Sequence, residues 1–344
     1  MTAWRTTTLI TTSSEWSRAV KVIDGASQVC LACHVRPDAD ALGSMLAVLH
    51  ALCSRSGSRP GRTPKIVASF GDEPFEVPAI LRFLPGVELL SAPGSYPAEP
   101  EVMLSFDAAS IDRLGALTGP AASAGELIVL DHHASNTRFG SINLVDPAAA
   151  ATAVLTAELI DRLEIPLTAQ IALGIYAGLV TDTGSFKFSA TTPQVHELAA
   201  RLLATGIDPA IVSHELYDRA PFSYLALLAA ALDRAVLEPD VAAGLGMVWT
   251  TVTRKDRAAS GLPLDAAESV IDEIRRTDEA EVAMVLKEDD NGDWQVSMRS
   301  KSAVDVAAIA TALGGGGHAR AAGFSYTGGA AAAIAAVRGL LDRR

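Results

Sequence analysis

The stretch Leu127-Ile-Val-Leu130-Asp131-His132-His133-Ala-Ser-Asn136 decides how this chain folds. Its consecutive aliphatic residues predict a short strand, and the run stops at an acid followed by two imidazoles. Other apolar runs behave alike. The strand predicted over Gln28–Cys33 leads into His34-Val-Arg-Pro-Asp38-Ala-Asp40-Ala-Leu-Gly-Ser44, and the one over Val102–Phe106 ends at Asp107. A helical run over 169–179 ends in Val-Thr-Asp182-Thr-Gly-Ser185. A further strand over Lys65–Phe70 and helices over 41–54 and 151–163 complete an alternation of strands and helices, the pattern of an α/β sheet. In open α/β sheets, ligands bind beyond the carboxyl ends of the strands, where these polar groups fall.

After residue 190 the pattern changes. Helices are predicted over 193–205 and over 210–236, the second long and rich in Ala and Leu. A second α/β unit then begins. It has a strand over 247–253, a helix over 265–276, and a hairpin of 281–287 with 294–301 that reverses at Asp289-Asp-Asn-Gly292. A helix over 304–313 runs into Gly314-Gly-Gly-Gly317, and a helix over 330–342 closes the chain. The expected layout is a mostly parallel-sheet N-terminal domain over 1–192, a helical linker over 193–240, and a smaller α/β domain over 241–344.

Composition narrows the function. The chain of 344 residues is long enough for two cores, and it carries a formal charge of −12. Proteins that track long nucleic acids through their phosphates present a broad basic face, so a phosphate-bearing partner of this chain is expected to be short. No run of about 18 apolar residues exists, and no membrane span is expected. The opening Met1-Thr-Ala-Trp-Arg-Thr-Thr-Thr lacks the basic-then-apolar order of a secretory signal, so a cytoplasmic protein is expected. Cys30 and Cys33 have a C-x-x-C spacing. On a strand their offset of three points them to opposite faces, and no second such pair completes a zinc site, so both are read as core thiols.

Taken singly, each acidic residue has an ordinary explanation. Asp38 or Asp40 could cap a helix, and Asp107 and Asp182 could open turns. Together they are harder to explain without a cation, because clustered carboxylates repel and resist ionisation unless positive charge neutralises them. Four carboxylates and two imidazoles, with no thiolate available, suit a borderline-hard ion. Manganese comes first, with magnesium, cobalt or zinc as alternatives. Six ligands exceed one catalytic ion's share, so a pair of ions about 3.5–4 Å apart fits better.

The combination H-x3-D-x-D, a strand-terminal Asp, D-H-H and a later D-T-G resembles the DHH phosphoesterase superfamily, which includes RecJ-type exonucleases and manganese-dependent inorganic pyrophosphatases. Ser297-Met-Arg299-Ser300 and Gly314-Gly-Gly-Gly-His318-Ala-Arg-Ala-Ala-Gly323 look like the associated DHHA1 domain. Arrangement and length most resemble the bacterial oligoribonuclease and phosphoadenosine-phosphate phosphatase subgroup, often called nanoRNases, some of whose actinobacterial members act on cyclic di-AMP or its linear product pApA. The resemblance spans almost the whole chain.

It implies the following roles. His34, Asp38 and Asp107 hold one divalent ion; Asp40, Asp107, His132 and Asp182 hold the other, with Asp107 bridging. Asp131 orients an imidazole. His133 contacts a phosphate oxygen and stabilises charge in the transition state. Arg299 and Ser300 bind substrate phosphate or sugar, and Gly316, Gly317 and His318 bring backbone and imidazole close to a terminal phosphate or base. The expected activity is hydrolysis of short oligoribonucleotides, dinucleotides and 3′-phosphoadenosine 5′-phosphate in a cleft between domains, by a homodimer. The alternatives are an inorganic pyrophosphatase, which should carry a basic C-terminal cluster, and a catalytically silent nucleotide-binding protein. His50, His196 and His214 are read as structural or surface residues.

Overall fold

The computed structural model describes residues 12–56 and 64–342; the N-terminal octapeptide read above lies outside them. The chain divides into two compact units, Met1–Arg219 and Ala220–Arg344.

The first unit contains helices α1 (Ser13–Gly25), α2 (Ala39–Ser56), α3 (Thr118–Ala122), α4 (Thr152–Arg162), α5 (Ala169–Asp182), α6 (Pro193–Leu203) and α7 (Pro209–Tyr217). Its strands are β1 (Gln28–Cys33), β2 (Lys65–Phe70), β3 (Val102–Phe106), β4 (Glu126–Asp131) and β5 (Ile142–Val145). They form one sheet in the order β2-β1-β3-β4-β5, parallel throughout. Both faces are covered. Leu31, Cys33, Leu104, Phe106, Ile128 and Leu130 pack under α1, α2, α4 and α5, while Cys30, Met103, Leu127 and Val129 face Leu114, Leu117 and Ala121. Burial on both sides explains why these strands read as continuous apolar runs. Cys30 and Cys33 do lie in opposite layers, both buried. The strand order changes direction between β1 and β3, which makes their carboxyl ends the switch point of the sheet.

Close packing of α2 against α5 brings the ends of these elements together. A Cβ on Gly43 of α2 would stand 2.3 Å from the Gly174 carbonyl oxygen, and one on Gly174 of α5 would stand 2.5 Å from the Gly43 oxygen. Only paired glycines allow backbones so close. Gly43 therefore serves the helix crossing rather than a ligand.

The second unit contains α8 (Ser223–Asp233), β6 (Val236–Glu238), α9 (Val241–Gly244), β7 (Met247–Val252), α10 (Arg254–Ser260) and α11 (Val270–Ile274). It continues with β8 (Val282–Glu288), β9 (Trp294–Ser300), α12 (Val306–Ala312), β10 (Gly316–His318), β11 (Ala321–Tyr326) and α13 (Ala330–Leu341). The sheet order is β10-β11-β9-β8-β7-β6; only β7 and β8 run parallel. One core joins Met284, Val296, Met298 and Phe324 to α12 and α13, and a second joins Val248, Ala283 and Val285 to α8 and α11.

Several expectations change here. The long helix over 210–236 is two helices, α7 and α8, with a break at 218–222. Pro221 lacks an N–H and disfavours helical backbone at Ala220, which ends the run. The expected 193–240 linker is shared: α6 and α7 belong to the first unit and α8 to the second. The helix expected over 265–276 resolves into a 3-10 turn, Asp265–Ala267, and short α11; between them the Ser269 hydroxyl donates to Tyr224. The glycine run continues into strand β10, so it is more than a helix stop. No helix among the described residues is long and apolar enough to cross a membrane.

Candidate metal centre

Five elements deliver the expected donors to one place in the first unit. His34 directly follows β1 and Asp107 directly follows β3, while β4 ends at Asp131 with His132 and His133 following, and α5 ends at Asp182. Asp38 immediately precedes α2, and Asp40 lies in its first turn. Asp107 adopts left-handed backbone (φ 57°), uncommon outside glycine, and its amide donates to the Leu130 carbonyl at 2.9 Å. That conformation turns the chain away at the strand end, among the imidazoles.

The distances sort the donors into sets. His34 Nε2 lies 3.4 Å from Asp107 Oδ2 and 3.8 Å from Asp38 Oδ2. His132 Nε2 lies 3.6 Å from Asp107 Oδ1, 3.9 Å from Asp40 Oδ2 and 3.2 Å from Asp182 Oδ2. Ligand atoms that share one cation at about 2.1 Å stand roughly 3–3.5 Å apart, close to these separations. The groups His34, Asp38, Asp107 and Asp40, Asp107, His132 each bring ligand atoms within 4.8 Å of one another. The two oxygens of Asp107 face different sets.

Tautomers agree with this. His34 Nδ1 is 2.8 Å from the Val35 carbonyl, and His132 Nδ1 is 3.2 Å from the Ala149 carbonyl. With those nitrogens as donors, each Nε2 faces the carboxylates, donating to them in the protonated ring and offering a lone pair to a cation once that proton is lost. Asp38 caps the helix, its Oδ1 accepting from the Ala41 amide at 2.9 Å, and its Oδ2 faces His34.

Electrostatics show what a cation would relieve. Burial, reinforced by Asp182 and Asp107, raises the Asp40 carboxyl well above its ordinary range. Burial together with the charges of Asp38 and Asp107 lifts Asp182 to about 6, although His132 opposes this. Burial also works against the Asp107 charge, but the surrounding imidazoles hold that carboxyl low. For His34, burial disfavours the proton, yet Asp107 and Asp38 outweigh it and push the ring up to about 10. In effect, protons on the imidazoles neutralise the buried carboxylates, the task a divalent cation performs better because it satisfies all of them at once. The residues present fit such an ion.

Asp131 takes no part in these two sets. Its Oδ1 lies 2.7 Å from His133 Nδ1, and its Oδ2 accepts from Asn136 at 2.6 Å. Asn136 itself is tied to the Ala108 carbonyl and the Arg138 amide. Asn136 thus holds Asp131, and Asp131 holds His133.

Sequence reasoning missed three contributors. Gly178 leaves room for Asp40: a Cβ there would fall 2.6 Å from Asp40 Oδ1. Gly174, Gly178 and Asp182 recur every four residues along one face of α5, a spacing readable in the sequence. Thr152, fully buried at the start of α4, donates its hydroxyl to Asp107 Oδ1 at 2.7 Å and its amide to Asp40 Oδ2 at 2.6 Å. Arg113 places Nη2 3.3 Å from His34 Nδ1, which brings positive charge beside the ring without a hydrogen bond while Nδ1 donates to the Val35 carbonyl.

The C-terminal candidates lie in the second unit. Arg299 of β9 and His318 of β10 are both in register with Ala321 of β11, so the three side chains share one face of the sheet. Gly317 (φ 134°) packs against β11, where a Cβ would meet the Ala321 oxygen at 2.6 Å. Gly316 is exposed and pairs with Gly323. Ser300 departs from its expected role. It is buried, its hydroxyl donates to Glu281 at 2.9 Å, and Arg320 approaches it at 3.4 Å. Its place on β9, one residue beyond Arg299, turns it to the face that packs on α12 and α13, in register with Val282.

Comparison with known proteins agrees with this arrangement. Residues 28–179 match the DHH family N-terminal domain, and residues 253–342 match the DHHA1 domain. The chain is 33% identical over 315 residues to the bifunctional oligoribonuclease and PAP phosphatase NrnA of Thermus thermophilus, covering 91% of this chain and 87% of that protein. The chain belongs to the DHH phosphoesterase family. A probable bifunctional oligoribonuclease and PAP phosphatase NrnA of Streptococcus mutans is 26% identical, covering 84% of this chain and 86% of that protein. The crystal structure of an exopolyphosphatase-related protein from Bacteroides fragilis has the same fold, with a TM-score of 0.84, 23% identity and 98% of each chain covered. DHH family phosphoesterases depend on divalent metals and hydrolyse phosphoester bonds, and the acidic and imidazole groups described here are of the type that could bind such ions.

Proposed function

We propose that this chain uses two divalent cations, manganese first among them, to hydrolyse short oligoribonucleotides, pApA and 3′-phosphoadenosine 5′-phosphate to nucleoside monophosphate, with cyclic di-AMP as a further substrate. One observation carries the reading. The oxygens of buried Asp107 face two separate donor sets, His34 with Asp38 on one side and His132 with Asp40 and Asp182 on the other. A shared carboxylate between two sets is what a two-ion phosphoryl-transfer site requires. The NrnA likeness over most of the chain supports the substrate class.

When bound, the ions supply Lewis acidity to the attacking water and to the phosphoryl oxygens. The chain's own groups do the rest. His34, Asp38 and Asp107 hold one ion, and Asp40, Asp107, His132 and Asp182 the other. His133, fixed by Asp131, contacts a phosphate oxygen. Burial works against the His133 proton, but Asp131 and Asp107 raise its affinity, so it meets the phosphate as a donor. In the second unit, Arg299 and His318 bind phosphate or base, with Gly316 and Gly317 beside them, while Ser300 supports that edge through Glu281.

A homodimer belongs to this reading. Phe222, Leu225 and Leu232, at and within α8, are exposed apolar residues that a second copy could cover. So does a cytoplasmic location, consistent with the free cysteines Cys30, Cys33 and Cys53.

The test is chromatography of products from 3′-phosphoadenosine 5′-phosphate, pApA, cyclic di-AMP, short and long RNA, and pyrophosphate. Each is incubated with manganese or with a chelator. Monophosphate release from the short substrates, lost on chelation, is expected. Turnover of pyrophosphate alone would replace the reading with a pyrophosphatase. Tight nucleotide binding without product would leave a silent binding protein.

A further inference from the structure

We infer that Thr152 is a positioning residue that selects which lone pairs of Asp40 and Asp107 are left for cations. The inference rests on the two-ion reading and adds a residue to it.

An ionised carboxylate offers about four lone-pair sites. On Asp40, Oδ1 accepts from the Ala153 amide at 2.8 Å and from the Ser44 hydroxyl at 3.4 Å, which uses both of its sites. Oδ2 accepts from the Thr152 amide at 2.6 Å. One site remains, on the oxygen nearest His132 Nε2. On Asp107, the Thr152 hydroxyl occupies one site of Oδ1 at 2.7 Å. The other Oδ1 site is left on the oxygen nearest His132, while Oδ2 is left to the His34 set. Through two atoms, Thr152 ties the carboxylates to each other and turns one lone pair of each toward the same imidazole.

Local structure explains why a threonine stands here. Thr152 is the first residue of α4, and the cap residue Ala151 offers no side chain to the orphan amides. Asp40 caps α4 from another element instead. The Thr152 hydroxyl has no carbonyl one turn earlier in its own helix to bond, so it is spare for Asp107. The same segment supplies the Ala149 carbonyl to His132 Nδ1. Residues 149–153 therefore orient His132, Asp40 and Asp107 without contributing a ligand atom themselves.

The experiment compares wild type, Thr152→Val and Thr152→Ser, prepared metal-free. Manganese is titrated by calorimetry, thermal melting is recorded without metal, and kcat and KM are measured with 3′-phosphoadenosine 5′-phosphate. Thr152→Val should bind manganese about 10- to 100-fold more weakly, the usual consequence of losing a residue that orients a ligand. Its kcat should fall with KM little changed, and the metal-free protein should still melt cooperatively. Thr152→Ser keeps the hydroxyl and should recover both affinity and kcat. If Thr152→Val does not fold, Thr152→Ala is compared with Thr152→Ser in the same way. Manganese affinity unchanged in Thr152→Val, or Thr152→Ser as impaired as the valine, overturns the positioning role. A wild type that binds manganese yet hydrolyses no substrate overturns the phosphoesterase reading and leaves the affinity comparison valid. A wild type that takes up no manganese overturns both.

Discussion

Gly178 of α5 is packed so closely on Asp40 of α2 that a Cβ at position 178 would lie 2.6 Å from Asp40 Oδ1 and 2.8 Å from its Cα. The Cα is backbone and has no rotamer by which to retreat. Gly178→Ala should gain about 1 kcal/mol of helix propensity. Overpacking should cost about 1–3 kcal/mol and displace the carboxylate. The clash wins. The variant should be slightly less stable than wild type, and its manganese affinity should fall further than its stability. Paired thermal melts and calorimetric titrations check this; unchanged metal affinity would show that Asp40 tolerates the shift.

Asp107 faces both donor sets, so its loss should affect both ions. Asp107→Asn keeps the volume and the capacity to accept from Thr152, but it removes the charge and half of the ligand capacity. Hydrolysis should fall about 10³-fold or more, corresponding to several kcal/mol of lost charge stabilisation. Circular dichroism should match wild type. Substantial residual turnover would remove the bridging role.

Protonation of His34 gives opposite pH trends with and without metal. Its affinity for the proton rises from the ordinary 6.5 to about 10 in the metal-free fold, where Asp107 and Asp38 outweigh burial. A folded-state value above the unfolded one means that this contribution is fully present below about pH 6.5 and is lost as pH rises through 10. The metal-free protein should therefore melt at lower temperature at pH 10 than at pH 7. Manganese affinity should rise over the same interval, because the ion competes with that proton. Melting curves and titrations across pH 6.5–10 read both slopes; parallel slopes would contradict the shared site.

Glu281 organises the second unit. Its Oε1 accepts from the amides of Ser302 at 2.6 Å, Ala303 at 2.5 Å and Val304 at 3.2 Å, and from the Ser300 hydroxyl. Burial opposes its charge, but these donors prevail and lower its pKa. The stability it contributes is present above the ordinary value of 4.5 and is lost as pH falls through the lower folded value. Glu281→Ala should destabilise the unit by about 3 kcal/mol, since it strands several donors. Glu281→Gln should cost less. Faster amide exchange at residues 302–304 in Glu281→Ala would be the local signature.

Much of the catalytic half was legible because its information is local. β1, β2 and β3 span the residues expected of them, since a strand buried on both faces writes itself as an uninterrupted apolar run. Their polar ends mark the rim of the sheet, but that His34, Asp107 and the Asp131–His133 segment stand at neighbouring strand ends is decided by the strand order β1-β3-β4 of the folded chain. The α7–α8 break has a local mark in Pro221, set between two stretches of apolar helical periodicity.

The rest depended on partners far along the chain. Thr152 sits in an Ala-rich segment and has no mark of its own; its importance lies in Asp40 and Asp107, 112 and 45 residues away. Gly174 and Gly178 look like weak helix residues until α2 is laid against them. Ser300 beside Arg299 reads as a binding pair, yet alternation along β9 sends it to the opposite face, that of α12 and α13, where Glu281 holds it. Sequence alone determined which elements form and which donors stand at their ends, because propensity and burial pattern act over a few residues. Tertiary structure decided which lone pairs and faces those donors present, because that depends on close contacts between segments that meet only once the chain has folded.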